Sequence, residues 1–160
     1  DELAVAAQNG ELHRNFQGYT TDRAETMVGL GSTSIGRTPV GYVQNIGETG
    51  AWTRAVEAGK LPVAKGLPFV DEDQLRGDVI ERLMCDGHAD VTQIGRAHGA
   101  ADGWWADASG ALEEMEADGL LTMTQGRVEM TQLGRPLVRL AAAAFDTYLV
   151  DSTARHSVSV

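Results

Sequence analysis

Eight consecutive residues, Arg14-Asn15-Phe16-Gln17-Gly18-Tyr19-Thr20-Thr21, gather a cation, two amides, two aromatics, a flexible glycine and two hydroxyls. A solvated loop rarely needs both aromatics, and a core strand rarely tolerates so many polar groups. The mixture suits the wall of a site for a polar ligand. Gln17 can give and take hydrogen bonds, and the Arg14 guanidinium matches a carboxylate through two parallel ones. Tyr19 can stack or donate. Plainer readings stand beside these: Gln17 as an amide bracing its own loop, Arg14 as the partner of a nearby Asp. A second candidate lies between Gly31 and Gly36, where glycines let the backbone approach a ligand or bend sharply. Ile35 in that stretch either contacts a ligand through its backbone or is a buried strand residue.

Other reactive side chains are scattered. His13 adjoins the eight-residue stretch, His88 and His98 fall near helix ends, and His156 is in the tail; no His, Asp or Glu spacing suggests a metal site. Cys85 is the only cysteine. That rules out an intrachain disulfide framework and a complete cysteine-based metal site, and it fits a reducing, cytoplasmic setting. Cys85 sits on an amphipathic helix beside Asp86, an acidic neighbourhood that disfavours a reactive thiolate. The formal charge is −10; residues 1–62 carry 7 acidic and 5 basic groups, residues 63–160 carry 16 and 8. Such a surface repels phosphate backbones, so nucleic acid is not an expected partner. No apolar run approaches the ~20 residues of a membrane helix. The chain begins at Asp1 and reads as helix from the start, which suggests a piece of something longer.

Periodicity places the elements that must position these residues. Residues 1–9 read as a helix ended by Gly10, 11–18 as extended, Met27 to Ser32 as a buried strand entering the glycine-serine turn, Pro39 to Asn45 as irregular, and Thr49 to Glu57 as a helix. Pro62 to Pro68 reads as a linker. Beyond it the helical period is clean. Asp71 can cap a helix to Cys85 with Leu75, Val79, Ile80, Leu83 and Met84 on one face. Asp90 and Gln93 have capping-box spacing for a short helix with Ile94 and Ala97 inward. Asp102 can cap a third helix, with Trp105, Ala108, Leu112 and Met115 in a stripe. Of the adjacent Trp104 and Trp105, one is expected to face the core and the other outward. Leu121–Met123 and Val128–Met130 alternate around a Gln125-Gly126 turn, a β-hairpin. Thr131 can cap a last helix with Leu133, Leu137, Leu140, Ala144, Phe145 and Tyr148 inward. The tail after Asp151 has no period. Three helices, a hairpin and a closing helix are the order of a winged helix-turn-helix domain. Its reading helix, however, would carry Asp107, Glu113, Glu114, Glu116 and Asp118 and no Lys or Arg, whereas DNA readers need basic and amide groups there.

The eight residues also spell RNFQGYTT, and with them the chain resembles oxygen-independent coproporphyrinogen III oxidase, a radical S-adenosylmethionine family of anaerobic haem synthesis. The segment Gly29-Leu30-Gly31-Ser32-Thr33-Ser34-Ile35-Gly36, the run Tyr42-Val43-Gln44-Asn45, Leu83-Met84-Cys85, Gly119-Leu120 and Phe145-Asp146-x-Tyr148-Leu149 extend the likeness over nearly the whole chain. The resemblance implies an α+β, mainly helical chain: residues 1–62 as the C-terminal edge of a radical-SAM β/α barrel, and 63–160 as a winged-helix-like domain across the barrel mouth. It implies two molecules of S-adenosylmethionine, with Ile35 and Gln17 at the second, through hydrogen bonds to a methionyl or ribose group. It implies coproporphyrinogen III as substrate, with Arg14 and Tyr19 as candidates to bind a propionate. The 4Fe-4S cluster would be bound by the N-terminal barrel of the same polypeptide, because the family's C-x-x-x-C-x-x-C motif is absent here. As it stands the chain would be inactive; it supplies no catalytic residue and no metal ligand, and it is expected to be monomeric. The other readings are a haem-trafficking relative without oxidase activity, against which Gln17 and Arg14 argue, and a winged-helix regulator, against which the acidic third helix argues.

Overall fold

A computed structural model describes residues 1–70 and 72–150. The chain is a mixed α/β structure with small antiparallel sheets, and no sheet among the described residues closes into a barrel. Helix α1 (Glu2–Asn9) is capped by the Asp1 carboxylate on the Leu3 N–H and stopped by Gly10 at φ 67°. The motif then forms a hairpin, β1 (His13–Asn15) against β2 (Gly18–Thr20), with Arg14 opposite Tyr19. A second sheet follows in the order β3 (Ile35–Thr38), β4 (Gly41–Asn45), β5 (Val63–Pro68), and α2 (Thr49–Glu57) crosses between β4 and β5.

Three expectations for this region are corrected. The strand begins at Ile35, not at Met27; Val28 and Leu30 are exposed, and residues 28–34 form a loop held from below. Pro39–Asn45 and Pro62–Pro68, read as irregular and as a linker, contain the paired strands β4 and β5. Glycine and proline density concealed them. Gly41 lies so close to the Leu67 carbonyl that any Cβ there would collide with it, so the glycine that breaks the sequence pattern permits the pairing.

From residue 72 the apolar stripes build the one large core. Helix α3 (Asp73–Asp86) buries Leu75, Val79 and Leu83 and ends at Gly87, φ 75°. Its expected cap, Asp71, lies outside the described residues, as do His156 and the tail. Strand β6 (His88–Asp90), which alternation over three residues was too short to announce, pairs with β8 and leads into α4 (Val91–Ala97), where Asp90 accepts the Gln93 N–H as expected. Ala97, expected inward, is exposed; Gly95 takes the buried position because the Trp104 ring fills the space of a side chain there. Helix α5 (Ala106–Ala117) starts after a turn containing Gly103 (φ 77°), so Asp102 does not cap it. Both Trp104 and Trp105 pack against the core, and neither is the outward residue that adjacency suggested. The hairpin β7 (Leu121–Thr124) and β8 (Arg127–Met130) buries Leu121, Val128 and Met130. The last helix is three pieces: a 3-10 turn (Arg135–Leu137), α6 (Val138–Ala143) and α7 (Thr147–Val150). Its inward residues are Ala141, Ala142 and Phe145, whereas Leu133, Leu137, Leu140 and Tyr148 are exposed. Pro136 and the Gly134 approach to Leu120 break the single helical period on which the expected stripe rested.

Candidate functional site

The motif hairpin has almost no buried apolar surface of its own and is held in place by polar bonds to α3. Glu81 accepts from His13 Nδ1 at 2.9 Å and from the Arg14 backbone N–H at 3.3 Å. Arg82 donates to the carbonyls of Gly10 and Leu12 at 3.3 and 2.9 Å and is itself fixed by Asp86 at 2.8 Å. The Tyr19 hydroxyl donates to the Met84 carbonyl at 3.1 Å. Charge-assisted bonds from partly buried groups outlast exposed ones, so residues 81–86 act as a clamp on the back of the hairpin. The tip is tied at one further point. Phe16 meets Tyr42 of β4 edge to face (centroids 5.1 Å), and Tyr42 meets Phe69 the same way at 5.0 Å. These contacts form an aromatic ladder from hairpin to sheet.

Gln17 stands at the tip. Its N–H is bonded by Asn15 Oδ1 at 2.8 Å, its residue is exposed, and its side-chain amide makes no hydrogen bond among the described residues. Arg14 lies over the Tyr19 ring, 5.9 Å from its centroid. Among the described residues Arg14 forms no ion pair with an Asp.

Ile35 opens β3. The glycine-serine loop before it is braced by the Gln44-Asn45 pair: Asn45 Nδ2 donates to the carbonyls of Gly29 and Gly31 at 3.0 and 2.8 Å, and Gln44 Nε2 to that of Thr33 at 3.3 Å. Gly31 takes φ 100°, and a Cβ at Gly36 would sit 2.8 Å from the Met27 carbonyl oxygen. Register then places Ile35, Gln44 and Lys65 in one row across the sheet and Arg37, Tyr42 and Leu67 in the next. The rows are two residues apart along each strand, so they share one face, about 7 Å apart. This face is one wall of a cleft of about 560 Å³, closed on the other side by α3 and by residues 145–148. A second cleft, about 670 Å³, opens between the hairpin, residues 22–27 and α3; Arg14, Phe16, Arg37 and Tyr42 line it. Phe16, Arg37 and Tyr42 border both clefts. Thus the structure brings Arg14 and Ile35 to two sides of a shared wall. Gln17 and Tyr19 line neither cleft and flank Phe16 on the hairpin.

Sequence reading named Tyr42, Phe16's partner, only within the run Tyr42-Val43-Gln44-Asn45, and it singled out none of Arg37, Lys65, Arg76 and Glu81. Arg76 is 7 % exposed, pairs with Glu72 and Asp107 at 2.9 and 3.0 Å and lies 5.5 Å over the Trp104 ring, while its Nη1 has no partner among the described residues. Tyr148 donates to Asp73 at 3.0 Å, and that bond raises its phenol above the ordinary range. The Cys85 thiol is pushed up to about 11, by burial first and then by Glu81. Among the described residues no group of three or more His, Cys, Asp or Glu could hold a metal, and no helix is long and apolar enough to cross a membrane.

No family model matches the chain. Individual proteins do. A protein of Bradyrhizobium diazoefficiens named oxygen-independent coproporphyrinogen III oxidase is 41% identical over 160 residues, covering 100% of this chain and 36% of that protein. A Synechocystis protein of the same name is 37% identical over 164 residues, covering 99% of this chain and 35% of its own length. Among solved structures, coproporphyrinogen III oxidase from Escherichia coli, described as a radical SAM enzyme, superposes with a TM-score of 0.86 at 33% identity, over 92% of this chain and 34% of that one. The chain spans about a third of the length of these relatives, and the stretch it resembles is their C-terminal part.

Proposed function

We propose that this chain is the C-terminal portion of an oxygen-independent coproporphyrinogen III oxidase, which oxidatively decarboxylates two propionates of coproporphyrinogen III to vinyl groups and so gives protoporphyrinogen IX. What carries the reading is that the relatives bearing that name align with the chain from end to end. The arrangement of RNFQGYTT supports it: the hairpin is clamped along its back and tied by Phe16 at its tip, while the Gln17 side-chain amide makes no hydrogen bond among the described residues.

In this reading the N-terminal elements, residues 1–62 together with the strand β5 that shares their sheet, are the last edge of the radical-SAM barrel. The remainder is a winged-helix-like domain closing the site from the cytoplasmic, monomeric enzyme's C-terminal side. The helix–strand–helix–helix–hairpin order of α3 to β8 supports the second assignment. The acidic α5 leaves it no basic face for nucleic acid.

The residues present fit the second S-adenosylmethionine. Ile35 and the Phe16–Tyr42 edge offer an apolar and aromatic floor. Gln44 lines the same cleft, and Gln17, beside Phe16 at the hairpin tip, has a side-chain amide with no partner to give up among the described residues. Bound with a reduced 4Fe-4S cluster, S-adenosylmethionine supplies the 5′-deoxyadenosyl radical that takes hydrogen from a propionate. The present residues do not fit the cluster. The one thiol, Cys85, is held protonated by burial, so we assign the cluster to the N-terminal barrel of the same polypeptide. This chain's part is to bind, orient and exclude water. The reading is tested on the full-length polypeptide, reconstituted anaerobically. Two molecules of carbon dioxide per coproporphyrinogen III, with protoporphyrinogen IX as product, are expected. A reconstituted protein that cleaves S-adenosylmethionine but leaves coproporphyrinogen III intact sinks it.

A further inference from the structure

The cleft against the three-stranded sheet is lined by two cations, Arg37 and Lys65, that the described residues leave without an ion pair. Arg37 and Lys65 stand in adjacent rows of its sheet wall, across Tyr42 and Gln44 respectively. Among the described residues neither takes part in an ion pair or a side-chain hydrogen bond, although the chain carries ten more acidic than basic groups. The facing wall carries Arg76, Asp73 and Asp146. Asp73 accepts from the Val70 N–H and the Tyr148 hydroxyl, and Asp146 from the Tyr148 N–H; both keep their charge, and neither is within ion-pair distance of Arg37 or Lys65. Arg76, which also lines the cleft, is neutralised by Glu72 and Asp107, and its buried Nη1 has no partner among the described residues. The rest of the cleft is apolar and aromatic, with Phe16, Ile35, Tyr42, Phe69 and Phe145. Arg37 is half-buried and Lys65 exposed at the cleft's rim; an unpaired cation beside apolar surface is stabilised by an anion that brings its own apolar body.

We propose that Arg37 and Lys65 are carboxylate anchors of this cleft, gripping two acid side chains of a large, largely apolar ring system laid along the sheet face. Arg37, on the wall common to both clefts, is the primary anchor, in the role for which the sequence had suggested Arg14. The two anchors stand on β3 and β5, two strands apart, and in neighbouring rows, so their backbones are about 12 Å apart, a span suited to two carboxylates on different rings and too long for the two oxygens of one carboxylate. The proposal deepens the functional reading above and rests on it for the identity of the ring system as a tetrapyrrole.

The test uses the full-length protein and coproporphyrin III, the stable oxidised tetracarboxylate, with its tetramethyl ester as control; binding is followed by quenching of porphyrin fluorescence. Arg37→Gln is expected to weaken the free acid about ten-fold or more, the worth of one charge-assisted hydrogen bond, and to leave the ester unchanged. Lys65→Gln is expected to act in the same direction, and Arg37→Lys to restore part of the loss, which separates a missing charge from misfolding. Equal affinity of wild type and Arg37→Gln for the free acid overturns the anchor, as does an equal loss for acid and ester. The two readings fail separately. A wild type that decarboxylates coproporphyrinogen III while Arg37→Gln keeps its affinity refutes the anchor alone. A wild type with Arg37-dependent binding and no decarboxylation refutes the oxidase alone.

Discussion

At the scale of single residues, Glu81 matters most to the hairpin without belonging to it. Its carboxylate, only 24% exposed, takes both the His13 ring and the Arg14 N–H. Glu81→Ala leaves an N–H and an imidazole unpaired and is expected to cost about 1–3 kcal/mol, read from the urea midpoint at unchanged slope. In the full-length enzyme it should also weaken S-adenosylmethionine binding, through misplacement of Gln17. Cys85 gives a prediction of the opposite kind. A thiol raised from its ordinary 9.0 to about 11 keeps very little thiolate at neutral pH, so iodoacetamide at pH 7.5 should label it at least about ten times more slowly in the folded than in the unfolded chain. Mass spectrometry reads the ratio, and equal rates would refute the buried environment. The linkage follows in sign. Between pH 9 and 11 the unfolded chain binds fewer protons than the folded one, so this thiol's contribution to stability is full below 9 and is lost as pH rises through 11.

At the scale of elements, two kinds of attachment coexist. The core from α3 to α6 is held by apolar burial, with Leu83, Leu112 and Phe145 fully enclosed. Leu112→Ala is therefore expected to cost about 3–5 kcal/mol. The hairpin and sheet are held by Tyr42, between Phe16 and Phe69. Tyr42→Ala should raise hydrogen exchange at residues 13–20 while the amides of α3 and β8 keep their protection; uniform loss across the chain would contradict this division. The contrast also explains what the sequence disclosed. Helices with strong 3.6-residue stripes, α3 and α5, and the Gln125-Gly126 hairpin were readable because local pattern and burial agree there. Strands β4 and β5 were not, since the half-buried β4 and the exposed β5, beside glycine and proline, have no alternation to show. The last helix misled because Pro136 falls in a 3-10 turn and Asp146, whose carboxylate accepts the Tyr148 N–H, begins a new turn, so one apparent stripe is three pieces. In the candidate site, RNFQGYTT could be recognised as a segment. Its clamp, some seventy residues away on α3, and the row Ile35–Gln44–Lys65 depend on tertiary register, which spacing does not encode.

At the scale of the whole molecule, the core lies almost wholly after residue 72, and residues 1–70 bury few large apolar side chains while exposing Val28, Leu30, Val40, Leu61 and Leu67. A segment so built needs a neighbour to cover it, which accords with its assignment as the edge of a barrel continued in the same polypeptide. Expressed alone, residues 72–150 should unfold cooperatively, whereas residues 1–70 should show no cooperative transition by circular dichroism. The central claim is that this chain's hairpin and sheet complete the cofactor and substrate site of the oxidase. It is tested most directly by anaerobic turnover of coproporphyrinogen III in the reconstituted full-length enzyme, wild type beside Gln17→Ala, with S-adenosylmethionine affinity measured on both. The account predicts protoporphyrinogen IX from the wild type, and from Gln17→Ala a folded protein of unchanged melting temperature with weakened affinity and little product. Equal turnover and equal affinity in the two proteins would contradict it.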